Sequence, residues 1–218
     1  MKITSLIIGV SVAVLSGCVG QQTRLAPEDR LSLASQPQVH AVHHVLARAF
    51  GVESTAYTVV GVLFTPLVAG AMVAEGMAMQ RDLKLEDPAP RVKDRLAGAL
   101  QANLKLANLH FVPQAVQADE LELLQKLFHT GMVLDVRTSA WGIDNNRAKY
   151  SARARLVRLA DAAILWQGTC EAVAGKGQPS PERKALVADE GALLKMKLLE
   201  AADGCAEQLA GWILEQGR

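Results

Sequence analysis

A stretch of alternating side chains at residues 149–159 constrains the fold of this 218-residue chain more than any other feature. In an extended chain, one face of this stretch carries Tyr150, Ala152, Ala154 and Leu156, and the other carries Ser151, Arg153, Arg155 and Val157. This period of two is typical of a strand with one buried face and one solvated face. Turn signals at residues 144–146 and 161–162 separate it from apolar stretches at 132–138 and 164–170. The sequence therefore predicts an antiparallel meander of three strands.

The carboxyl-terminal region has a helical period instead. Its apolar residues recur at intervals of three and four, at Leu194, Leu198, Ala201, Cys205, Leu209 and Trp212. These positions form one continuous stripe, which predicts a helix lying on the sheet. Ser180 is the predicted cap of this helical region, Pro181 its first residue and Gly191 a candidate interruption.

The remaining elements complete a mixed α/β (α+β) fold with helices packed on the sheet. Strands are predicted at residues 39–45 and 109–112, and helices at 90–107 and 119–128, with Asp87 as the cap and Pro88 as the first residue of the earlier helix. Residues 38–218 are expected to form a single domain, large enough to bury a core of its own.

The amino-terminal residues have the pattern of a secretory signal, which predicts export through the inner membrane. Lys2 is followed by an uncharged stretch at residues 3–17, which is shorter than a membrane-spanning helix. It ends in Leu15-Ser16-Gly17-Cys18, which resembles the lipobox of bacterial lipoproteins. The resemblance implies cleavage between Gly17 and Cys18, removal of residues 1–17 as a signal peptide, and acylation of the Cys18 thiol. The alternative is an ordinary cleaved signal with an incidental cysteine.

The residues after Cys18 bear on location and attachment. Several acyl chains anchor a protein stably, whereas a single chain binds only marginally. Position 19 is Val rather than Asp, which in the lipoproteins that this chain resembles favours the outer membrane over the inner membrane. Residues 18–37 are mostly polar, with Pro27 and Pro37, and are expected to form a flexible tether on the periplasmic face.

Two cysteines remain once Cys18 is acylated. Cys170 and Cys205 would lie in a compartment that permits disulfides, and the predicted helix over the sheet brings them together. We therefore expect a disulfide between them. Two buried free thiols are the alternative, and a metal site is disfavoured because neither cysteine has a close Cys or His neighbour.

An apolar, Gly- and Ala-rich segment at residues 54–79 has no single interpretation. It has no charge until Glu75, contains Pro66, and spaces small residues by four at Gly70, Ala74 and Ala78. Packing on the domain's own sheet, contact with another protein or a second copy, and insertion into a bilayer remain open. Pro66 and Glu75 count against insertion.

Charge and motifs exclude some functions. After residues 1–17 are removed, the chain has 22 basic and 22 acidic side chains, which disfavours nucleic-acid binding. No nucleophile elbow, phosphate loop or metalloprotease motif is present, so no catalytic residue, metal ligand or cofactor is predicted.

Three groups of side chains are candidates for more than packing. The histidines His40, His43 and His44 could present two nitrogens to a metal, although surface or partly buried histidines are favoured. Four arginines could gather on the exposed face of the meander, either as a solvated face or as a patch for lipid headgroups, acidic glycans or an acidic partner: Arg137, Arg153, Arg155 and Arg158. Trp141 and Trp166 are expected to pack in the core.

Part of the meander also resembles a known group of envelope proteins. Val133-Leu134-Asp135-Val136, residues 150–157 and Ile164-Leu165-Trp166-Gln167-Gly168 carry this resemblance. They resemble the small α/β domain of envelope lipoproteins such as the penicillin-binding-protein activator LpoB, the curli secretion lipoprotein CsgG and the amino-terminal domain of TolB. That group includes ring-forming channels, enzyme activators and transport accessories.

The function expected from these features is binding rather than catalysis. The lipobox, the tethered α/β domain and the apolar 54–79 segment, together with the absence of a catalytic motif, favour a non-enzymatic outer-membrane lipoprotein. We expect it to contact the membrane through acyl chains and to bind a protein partner or itself. The alternatives are an envelope hydrolase or metal-dependent enzyme, and a lipid or glycan carrier.

Overall fold

The computed structural model describes residues 24–44, 49–53, 65–117 and 120–215. The strands are β1 (Val39–His43), β2 (Gly51–Glu53), β3 (Leu109–Phe111), β4 (Met132–Asp144), β5 (Arg147–Arg158) and β6 (Ala163–Val173). The helices within these ranges are α1 (Pro27–Ser35), α2 (Thr65–Asp82), α3 (Ala89–Leu104), α4 (Leu121–Phe128) and α5 (Arg183–Glu215).

The strands form one mixed sheet, which confirms the predicted fold class. Its order is β3-β1-β4-β5-β6, with β1 parallel to both of its neighbours and β4, β5 and β6 antiparallel. β2 pairs in parallel with the last three residues of β4, beyond the point where β1 ends. Two short strands therefore share one edge of the long strand β4.

The meander is the most accurately predicted part of the fold. Turns at Asn145–Asn146 and around Ala162 join its strands, and each strand is longer than its predicted range. Tyr150, Ala152, Ala154 and Leu156 are buried on one face, as the alternation predicted. Trp166 and Trp141 are also buried, which confirms their predicted place in the core.

Helices α2, α3 and α5 lie on this apolar face of the sheet. The core between the layers includes Leu96 and Leu100 of α3 and Leu194, Leu198 and Leu209 of α5. α5 begins at Arg183 rather than Pro181, and the Ser180 hydroxyl accepts a hydrogen bond from Arg147 instead of capping it. Residues 188–191 break α5, with φ values of 51°, 54° and 73° at Asp189, Glu190 and Gly191. The predicted interruption at Gly191 is confirmed.

The opposite face is covered only in part by the described helices. The short helix α4 packs there and forms a second apolar cluster with the sheet, made of Val42, Val116, Leu124, Val133 and Leu159. Much of the remaining surface on this face of the meander is polar, because the alternation in β5 places arginines and Ser151 there.

The predicted tether is wrong for residues 24–37. Leu25 and Leu33 are buried in the main core, and α1 begins at Pro27 with Glu28 and Asp29 in its first turn. Arg30 donates from Nη2 to the carbonyl oxygens of Ile213 (2.7 Å) and Leu214 (3.1 Å). The amino-terminal segment is thus fixed to the carboxyl-terminal end of α5, and Leu25 is already part of the domain.

Candidate functional site

The predicted lipidation and cleavage residues, Gly17 and Cys18, lie outside the described residues. The predicted disulfide is present, because Cys170 of β6 and Cys205 of α5 are bonded with their Cα atoms 5.2 Å apart. The bond joins the last helix to the edge strand of the sheet. It ties together two layers that also meet through apolar packing and the Gln208 side-chain bond to the Glu171 carbonyl.

The three histidines do not form a common site. His40 and His44 share one face of β1, but His40 stacks on Phe128 and His110, and His43 points to the other face, near Lys93. In the described ranges, no three His, Cys, Asp or Glu side chains lie close enough together to hold a metal ion.

The His43 side chain is buried. Its Nδ1 atom has no hydrogen-bond partner among the described residues. Burial, followed by the nearby Lys93 cation, lowers the pKa of His43. Lys93 is itself buried and donates from Nζ to the carbonyl oxygen of Val112 at 2.8 Å. The Lys93 cation therefore holds the chain after β3 against α3.

A buried ion cluster crosses the sheet on the other face of β1. Asp135 of β4 contacts Nε2 of His44 through one carboxylate oxygen and accepts a hydrogen bond from Arg155 Nε at 2.8 Å through the other. Asp135 and Arg155 are direct cross-strand partners, and all three side chains are buried. Burial alone raises the pKa of Asp135, but the interactions with His44 and Arg155 outweigh it and hold this pKa below its usual range.

This cluster was not predicted from the sequence, because His44 and Asp135 are 91 positions apart. In the cluster, both carboxylate oxygens of Asp135 have a partner, and the side chains of His44, Asp135 and Arg155 are all buried from solvent. Such a closed arrangement suits the fixing of strand register, since a slip of one residue would leave the charges unpaired in the interior.

A second polar group anchors the start of α3. The Asp87 carboxylate accepts hydrogen bonds from the Thr138 hydroxyl (2.6 Å) and the Ala89 backbone N–H (3.0 Å), and Thr138 also pairs with the Tyr150 hydroxyl at 2.8 Å. Burial raises the pKa of Asp87, and burial with the nearby Asp87 raises that of Tyr150. The predicted cap and first residue are each one position too early, because Pro88 occupies the N-cap position and Ala89 is the first residue of α3. Asp87 accepts its bond from Ala89 from the position before the cap.

The four arginines of the meander are not one patch. Arg137 and Arg153 are cross-strand partners, whereas Arg155 is held in the buried cluster with Asp135. Arg158 lies at the far end of β5, where it pairs with Asp161 at 2.9 Å and Asp29 at 3.4 Å. The predicted gathering of all four on the exposed face is wrong.

Helix α2 holds the described part of the apolar segment, and it packs on the domain's own sheet. Gly76 lies against the backbone of Phe50, where a Cβ atom would stand 1.7 Å from the carbonyl oxygen. Glu75 forms an ion pair with Arg183 of α5. Packing on the domain itself, one of the three interpretations, thus holds for one side of α2.

A side of α2 that adjoins the packed Gly76 is exposed at residues 73–77. Val73 and Met77, one helical turn apart, are 48% and 56% exposed, and Ala74 beside them is also exposed. Within the described ranges, no helix combines the length and the hydropathy needed to cross a bilayer. This exposed apolar group beside the packed Gly76 is the candidate interaction surface, which we call the α2 surface and define by Val73, Ala74 and Met77.

The α2 surface and helix α1 lie at opposite ends of β4. Arg158, which contacts Asp29 of α1, pairs with Met132 at the start of β4. Gly51, next to the Phe50 backbone that Gly76 contacts, pairs with Gly142 near the end of that strand. Ten residues of strand separate these levels, a distance of about 33 Å at the usual rise per residue.

Comparisons with known proteins give no family for this chain. No family model and no curated protein matches it. Among solved structures, the PelC dodecamer from Paraburkholderia phytofirmans is 14% identical with a TM-score of 0.35, over 83% of this chain and 96% of that one. A hypothetical protein from Chlamydia trachomatis is 10% identical with a TM-score of 0.39, over 82% and 98%.

The lipoprotein GNA1162 from Neisseria meningitidis is 20% identical with a TM-score of 0.28, over 49% of this chain and 86% of that one. At TM-scores below 0.5 these likenesses assign neither a function nor an oligomeric state to this chain.

Proposed function

We propose that this chain is a lipoprotein of the bacterial outer membrane, anchored through Cys18 on the periplasmic side, that works without catalysis by assembling with further copies of itself. The α2 surface is the contact. The observation that carries the proposal is the exposure of Val73 and Met77 on a helix that is held against the Phe50 backbone at Gly76.

The position of the α2 surface indicates that it contacts another protein and not the membrane that anchors Cys18. It lies about 33 Å along β4 from α1, the described helix nearest in sequence to Cys18. In an upright domain, the bilayer that holds Cys18 would be at the opposite end. The apolar side chains of α2 would then face the periplasm, where another protein can bury them.

Anchoring favours a second copy as that protein. Copies held on one membrane share an orientation and present α2 at the same height, and confinement to a surface raises their effective concentration. The apolar contacts between α2 surfaces therefore favour a neighbouring copy over a dilute protein that is free in the periplasm.

Cysteine cross-linking in intact envelopes tests this contact. Met77→Cys should give a covalent dimer with a short bismaleimide, because two α2 surfaces meet. Met196→Cys is the matched control, since Met196 of α5 is 54% exposed and lies outside the proposed contact. Equal cross-linking at both positions, or none at Met77→Cys, contradicts self-assembly through α2.

Anchoring has its own test. The purified mature protein should carry a diacylglyceryl group on Cys18, measured by mass spectrometry, and Cys18→Ser should release the protein from the membrane fraction. A mature protein without lipid, or a Cys18→Ser variant that stays with the membrane, contradicts the anchored part of the proposal.

A further inference from the structure

The residues around α1 form a second exposed apolar surface, at the end of the domain opposite to α2. Leu31 is 76% exposed, more than any other large apolar side chain in the described ranges. It borders an open groove between α1 and the carboxyl-terminal end of α3, lined also by Pro27, Ala34 and Leu104, with Lys105 at its rim. We call these residues the α1 surface.

The α1 surface is rigidly part of the domain. Leu25 and Leu33 are buried on the inner side of this segment, and Arg30 is hydrogen-bonded to the last turns of α5. Leu31 is therefore held outward by the packing of its neighbours, and no rotation of α1 can bury it without exposing Leu33.

The chain length before Leu25 limits how far this surface can be from the acylated cysteine. Seven residue steps separate Cys18 from Leu25, which span at most about 25 Å when fully extended. The charge nearby is mixed, because Arg24 and Lys105 are exposed on this side but Glu28 is exposed as well. Contact with a bilayer would therefore depend on Leu31 and the groove more than on net charge.

We infer that the α1 surface rests on the membrane in which Cys18 is anchored, with Leu31 inserted among the lipid headgroups and the α2 surface directed away. This inference rests on the proposed anchoring at Cys18. It adds an orientation: the acyl chains and the α1 surface hold the domain at two points, so that α2 is presented at a fixed height to neighbouring copies.

Depth-dependent fluorescence quenching tests the inference on the full-length acylated protein. Leu31→Cys and Met77→Cys would each be labelled with an environment-sensitive fluorophore, in vesicles of phosphatidylethanolamine and phosphatidylglycerol that contain spin-labelled phosphatidylcholine. Both residues are exposed, so neither substitution disturbs the core. Lipid-borne spin labels should quench the fluorophore at position 31 several-fold more than the one at position 77.

The outcomes separate this inference from the proposed function. Equal quenching at the two positions, or stronger quenching at 77, in protein that carries lipid on Cys18 overturns the orientation while leaving the anchor intact. A mature protein without lipid on Cys18, seen by mass spectrometry of the same sample, overturns the anchoring and the orientation together.

Discussion

Gly76 of α2 lies so close to the backbone of Phe50 that no larger residue fits at position 76. A Cβ atom built on Gly76 lies 1.7 Å from the Phe50 carbonyl oxygen and 2.8 Å from its carbon. The close approach fixes which side of α2 faces the sheet. Val73 and Met77 lie beside this contact on the helix surface and stay exposed.

Gly76→Ala should therefore destabilise the domain. The added methyl group forces α2 away from β2, and overpacking of this kind costs about 1–3 kcal/mol of the free energy of unfolding. Urea unfolding followed by circular dichroism measures the change. Gly98→Ala is the matched control, because Gly98 also lies in a helix but no atom lies within 4 Å of the position that a Cβ would take there. It should stabilise by up to about 1 kcal/mol through helix propensity, and equal effects at the two glycines would contradict the packing.

Asp135→Asn should be strongly destabilising. Removal of the carboxylate charge leaves Arg155 buried beside a neutral side chain, and the loss of one partner of a buried ion pair costs about 3–5 kcal/mol. Chemical denaturation gives the change in unfolding free energy. Asp161→Asn, which alters the exposed pair with Arg158, should leave stability nearly unchanged. Similar small effects for both substitutions would show that the Asp135 cluster contributes little.

The disulfide should contribute to stability by constraining the unfolded chain. Cys170 and Cys205 are 35 residues apart, and a loop of this length corresponds to about 4 kcal/mol in the chain-entropy model. A reducing agent should lower the denaturation midpoint of the native protein. The double variant Cys170→Ala/Cys205→Ala should show a lowered midpoint that does not respond to the same agent. A native protein whose denaturation midpoint does not change on reduction would contradict a stabilising role for this disulfide.

Stability should fall as pH falls below about 7. Burial lowers the pKa of His43 and of His40 in the folded state, so the unfolded chain binds more protons than the folded chain between those values and the ordinary histidine pKa of about 6.5. The contribution of these two histidines to stability is fully present above their pKa in the unfolded chain. It is lost as the pH decreases toward their lower pKa values in the folded protein. Thermal unfolding between pH 8 and pH 5 measures this slope.

His43→Phe should make that slope shallower, because it removes one of the two histidines whose protonation opposes folding. His129→Asn serves as the control, since His129 lies outside the core at the end of α4. A slope unchanged by His43→Phe would mean that other groups cause the acid sensitivity.

Local periodicity explains what could be predicted from the sequence. The alternation in β5 and the stripe of α5 are each contained in a single stretch of chain, so the meander, the closing helix and the disulfide could be inferred together. β2 is only three residues long and lacks a usable period.

Long-range contacts explain what could not be predicted. The helix α1 is held by Leu25, Leu33 and the bond from Arg30 to α5, 183 positions away, whereas its local composition is that of a tether. The pairing of His44 with Asp135 likewise depends on strands that become neighbours only in the folded sheet. The apolar character of the 54–79 segment was evident, but Gly76 decides which side of its helical part is exposed.

The mass of the detergent-solubilised native lipoprotein, measured by light scattering, tests self-assembly through α2 most directly. The comparison is with Val73→Lys/Met77→Lys and with the control Met196→Lys, each first shown to keep the native melting temperature. We expect a defined oligomer for the native protein and for Met196→Lys, and a folded monomer for the double variant. A monomeric native protein, or an oligomer that the double variant leaves unchanged, would contradict the account.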